Sequence, residues 1–126
     1  MMAEGIKRSE RVAGRIQSEL MDLLLRGAVR DPAAAGTYVS RVLLTDDLRN
    51  ARVYVRMLDD EAASLERQKQ IVRALKRASG HIRRELAPRL KLKYQPELKF
   101  FWDEGGDARR RVEDVLDELR REGSLS

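Results

Sequence analysis

Residues 70–92 read QIVRALKRASGHIRRELAPRLKL. Ile71, Leu75, Ala78, Ile82, Leu86 and Leu90 recur at helical spacing, so one side of this segment requires a core to pack on. Arg73, Lys76, Arg77, Arg83 and Arg84 crowd another side. From Ile71 to Leu92 there are seven Lys/Arg and a single acid, Glu85, for a net charge of +6. The chain as a whole carries +5, so its remaining residues sum to −1. A positive surplus concentrated in one helical segment points to a polyanion as partner. The bland alternative is a solvated helix face, but neutralising acids at i,i+4 are nearly absent. At Ala78-Ser79-Gly80 the helix should weaken, because glycine costs about 1 kcal/mol relative to alanine and serine can bond back to the backbone. The expectation is two helical halves, 61–78 and 79–87, with a kink or break between them and an end at Pro88. A second half starting there would offer free N–H groups to a phosphate, and Gly80 would let the backbone come close.

Upstream, Tyr38–Thr45 and Ala51–Leu58 read as two strands of an antiparallel hairpin, joined by a polar turn at Asp46–Asn50. Val42 and Leu44 share one face of the first strand, with Val39, Arg41 and Leu43 on the other. The second alternates cleanly, with Ala51, Val53, Val55 and Met57 opposite Arg52, Tyr54 and Arg56. Before the hairpin, a helix over about 10–25 is expected, capped by Ser9, with a stripe of Val12, Ile16, Leu20, Leu23 and Leu24. Asp31-Pro32 marks a loop. Downstream, Glu97–Asp103 is a third strand, with Leu98, Phe100 and Trp102 turned to the core and Phe101 free for a contact. A last helix, Ala108–Arg121, is capped by Asp107 and opens with Arg109-Arg110-Arg111. The sum is an α+β domain: a three-stranded sheet with helices against one face.

The 126 residues suit one domain, 1–126, with its core at about 9–121 and short flexible ends. No cysteine is present, which removes disulfides, thiol nucleophiles and cysteine zinc sites. No apolar run is long enough to span a membrane, and MMAEGIKRSER lacks the core of a signal peptide, so a cytoplasmic location without membrane partners is expected. His81 is the lone histidine and has no second histidine or cysteine to work with. Asp46-Asp47 and Asp59-Asp60 read as turn formers. No G-x-x-x-x-G-K and no G-x-G-x-x-G motif occurs. The chemistry left is binding: no catalytic residue, no metal, no cofactor.

Several separate motifs, in order, carry a resemblance. They are Arg11-Val12 with Ile16, Glu19 and Leu20; Arg30-Asp31-Pro32; Val42, Leu44, Asp46 and Leu48; Ala51 with Val53-Tyr54-Val55; Ala78-Ser79-Gly80-His81-Ile82-Arg83; and Pro96-Glu97-Leu98 with Phe100 and Asp103. Over almost its full length the chain resembles the ribosome-binding factor A family of bacterial small-subunit maturation factors. That resemblance implies a type II KH-like fold in which an interrupted helix at Ala-x-Gly, here Ala78-Ser79-Gly80, replaces the usual G-x-x-G clamp. It implies binding to the immature 30S ribosomal subunit and its 16S rRNA, help with late maturation and 16S 5′-end processing, notably in the cold, and no catalysis. It also implies a functional link to a ribosome-associated GTPase, and the protein is expected to be a monomer. The expected RNA-binding residues are Arg73, Lys76, Arg77, Gly80, His81, Arg83, Arg84, Arg89 and Lys91. His81 stands where the family commonly has Phe or Tyr. A protein–protein adaptor with an incidental basic face is the alternative, and a small nuclease the third reading.

Overall fold

A computed structural model describes residues 7–59, 63–105 and 115–121. Helix α1 spans Arg8–Leu25, strand β1 Thr37–Leu44, β2 Asn50–Met57, helix α2 Leu65–Leu90 and β3 Glu97–Trp102, with a short 3-10 turn at Pro32–Ala34. The sheet order is β1-β2-β3. β1 and β2 form the expected antiparallel hairpin, and β3 lies parallel to β2. A parallel neighbour requires a crossover, and α2 supplies it.

One face of the sheet carries the main core. Ala51, Val53, Val55, Leu98 and Phe100 meet Ile16, Leu20 and Leu23 of α1, and Ile71, Leu75, Ile82, Leu86 and Leu90 of α2. All five of these α2 side chains are essentially inaccessible to water. Fully burying a Leu or Ile is worth about 1.5–3 kcal/mol, and the stripe spans the length of the helix. The expected interruption therefore does not occur. α2 runs as one 26-residue helix through Ala78-Ser79-Gly80 and Pro88. A local penalty of about 1 kcal/mol for glycine is small beside apolar anchors placed on both sides of it. The helix stops instead at Lys91, in the left-handed conformation.

Four further expectations change. Val39 joins the main core with Val42 and Leu44, because a bulge leaves Ser40 unpaired between Val39↔Val55 and Arg41↔Tyr54 and so flips the alternation. Gln17 Nε2 donates to the carbonyls of Val39 and Ser40 at 3.3 Å each, which satisfies the irregular backbone, and the Ser40 hydroxyl donates to the Asp103 carboxylate at 2.7 Å. Helices do not cover one face alone. Residues 115–119 are helical, and Val115 and Leu119 pack on Leu43 and Tyr54 of the opposite face. Phe101 belongs to that second cluster, stacked on Tyr54 with centroids 5.5 Å apart, and is not a free contact. The expected start of the last helix, with Asp107 and Arg109-Arg110-Arg111, lies outside the described residues. Finally, Lys7 and not Ser9 holds the N-cap position of α1, with no side-chain cap bond; Ser9 is buried inside the helix and its hydroxyl donates to Asp46 at 3.2 Å.

Candidate nucleic-acid interface

Because the apolar stripe of α2 faces the sheet, its opposite face is turned to water. Arg73, Lys76, Arg77, Gly80 and Arg84 fall there at spacings of three and four, and each is exposed. Lys69, absent from the expected set, shares this face and is exposed as well. Across the whole helix there are eight Lys/Arg and two Glu. Arg73, Lys76 and Arg84 make no ion pair among the described residues, nor does Lys91. A Cβ built on Gly80 would have only Arg84 Nη1 nearby, at 3.8 Å, so glycine leaves a bare patch of helix backbone there. The N–H groups of that turn lie inside a continuous helix and are not a phosphate cradle.

The remaining expected residues divide differently. Arg77 Nη2 sits 2.7 Å from Asp31 of the loop after α1 and holds that carboxyl below its ordinary range, helped by the Ala33 N–H. His81 is exposed and shares with Arg77 a shallow hollow of about 390 Å³ against Ala28–Asp31. Arg83 is half-buried and donates to the Gln95 carbonyl at 3.1 Å, tying α2 to the connector before β3. Arg89 forms a fork with Glu19 at 2.9 Å and Asp22 at 2.7 Å. In return Arg15 of α1 donates to the Arg89 carbonyl at 3.0 Å, near the C-terminal end of α2. Arg89 is thus a seam between the two helices. Its proximity to acids on α1 is a tertiary fact that the local charge count could not register.

Alongside the cationic face runs a groove of about 500 Å³. Lys69, Arg73 and Lys76 line it, together with Val72, Phe101 and Trp102. Among the described residues no group of His, Cys, Asp and Glu could hold a metal ion. No helix there is long and apolar enough to cross a membrane.

Two helices on one face of a mixed sheet, with a cationic crossover helix between parallel strands, define a KH-like α+β domain. Comparison with known proteins narrows this. The family model of ribosome-binding factor A matches residues 8–116. Ribosome-binding factor A of Sorangium cellulosum is 43% identical over 122 residues, 94% of each chain. A Thermotoga maritima protein solved by NMR is 34% identical, with a TM-score of 0.66 over 86% of this chain and 95% of that one. Thermus thermophilus ribosome binding factor A, as a homology model fitted into the cryo-EM map of its 30S complex, is 25% identical with a TM-score of 0.59, covering 75% of this chain and 96% of that one. The chain belongs to the ribosome-binding factor A family.

Proposed function

We propose that this protein is a non-catalytic assembly factor that binds the immature 30S subunit by laying the cationic face of α2 along 16S rRNA. The observation that carries the reading is the set Arg73, Lys76 and Arg84: exposed, on one helix face, and free of acidic partners among the described residues. Guanidinium and ammonium groups set along one helix face match phosphate oxygens spaced along a backbone. The fitted 30S complex of the Thermus relative supports the small subunit as the partner. Such contacts position the protein without reading sequence, so selectivity would come from the shape of the rRNA. In this reading the factor acts as a monomer in late maturation and 16S 5′-end processing, and a ribosome-associated GTPase assists its release.

The test is co-sedimentation with immature 30S subunits. The Arg73→Glu/Arg84→Glu variant is expected to melt like the wild type and to stay at the top of the gradient. Wild-type co-sedimentation by a folded double variant would remove the assigned surface.

A further inference from the structure

A second cationic feature lies beyond the C-terminal end of α2, in the connector that leads to β3. Tyr94 is 57% exposed, unusual for a residue of that size in this chain. Two cations sit on its ring: Arg49 Cζ is 5.4 Å from the centroid and Lys93 Nζ 5.5 Å. The platform is held from both sides. The Glu97 N–H donates to the Arg49 carbonyl at 2.8 Å, which joins the β1–β2 turn to the start of β3. Arg83 holds the Gln95 carbonyl from α2, and Pro96 is fully buried. Lys91 stands three residues earlier, exposed and in a left-handed conformation (φ 54°) that a lysine adopts only at some cost.

An exposed aromatic ring on a braced loop, loaded with cations, has the composition of a stacking site for single-stranded nucleic acid. A base has a π-face to lay on the ring. The cation it displaces is already within reach of the phosphate attached to that base. Cation–π attraction holds the two groups near the ring in the meantime. We infer that Tyr94, with Arg49, Lys91 and Lys93, binds an unpaired nucleotide of RNA by base stacking. This inference rests on the RNA-binding reading of α2 and extends that surface around the end of the helix.

The probes are a single-stranded oligoadenylate and an abasic oligomer of equal length and charge, titrated into the full chain. Tyr94→Leu should weaken oligoadenylate binding by about 5- to 100-fold, as loss of one base–aromatic stack does. It should leave binding of the abasic oligomer unchanged, and Tyr94→Phe should bind both like the wild type. With Tyr94 more than half exposed, neither variant should alter the melting temperature. Equal weakening toward both probes, or wild-type affinity of Tyr94→Leu for oligoadenylate, would overturn the inference. Arg73→Glu/Arg84→Glu separates the two readings. If that variant loses both probes while Tyr94→Leu loses neither, the α2 surface stands and the stacking site falls. If only Tyr94→Leu loses oligoadenylate, the reverse holds.

Discussion

Arginines of identical type in one helix do different work here, and what decides is whether an acid or carbonyl of another element lies within 3 Å or so. Arg73 and Arg84 meet none among the described residues; Arg89 meets two carboxylates and Arg83 a backbone carbonyl. Lys91 is a third case. Its left-handed backbone costs about 1 kcal/mol that glycine would not incur, part of which glycine returns as unfolded-state entropy. Lys91→Gly should therefore raise stability by about 0.5 kcal/mol, read as a higher urea midpoint, while lowering the salt slope of RNA binding by about 1. A variant that is both less stable and unchanged in binding would show that Lys91 serves structure only. The positive face of α2 was legible in sequence because its residues recur at three and four. The partners of Arg77, Arg83 and Arg89 were not, since they lie 46, 12 and 67–70 residues away along the chain.

At the scale of the element, α2 shows how burial outweighs propensity. Its stripe from Ile71 to Leu90 keeps the helix whole across Gly80, where local preference alone argues for a break. With Gly80 helical and only an ordinary contact with Arg84 awaiting a Cβ, Gly80→Ala should stabilise the protein by about 1 kcal/mol, or roughly 3–5 °C in a thermal melt. A lower melting temperature would mean that the turn needs a conformation alanine resists. The seam between α1 and α2 gives a pH prediction. Hydrogen bonds from Arg89 and then Arg26 hold the Asp22 carboxyl below its ordinary value. Its folded-state pKa is lower than its unfolded one, so the stabilisation is complete above about pH 4 and fades as pH falls below it. Denaturant titrations at pH 6 and pH 3 should show a smaller acid loss for Asp22→Asn than for the wild type. Asp31 and Asp47 are shifted the same way and stay in both proteins, so the difference belongs to Asp22. An identical loss in both would mean the fork around Arg89 is not maintained in solution. The hairpin, both helices on the main core and β3 follow from periodicity. The parallel pairing of β3 and the packing of 115–119 on the far face depend on contacts that no local pattern encodes. Ser40, the unpaired residue of the bulge, likewise looks like any strand residue in the sequence.

For the whole molecule, the fold presents charge outward by using up the apolar half of a single long helix. Opposite the buried stripe lies a row of cations, with Tyr94 and its neighbours beyond the end of the helix. Contacts of this kind release counterions, and the number released can be counted. The most direct measurement is the association constant for immature 30S subunits across a series of salt concentrations, for the wild type and Arg73→Glu/Arg84→Glu. Neutralising about five phosphates predicts a wild-type log–log slope of roughly −3 to −5, made shallower by about 2 in the folded double variant. A wild-type affinity independent of salt, or a slope that the double variant leaves untouched, would contradict a phosphate-binding role for α2.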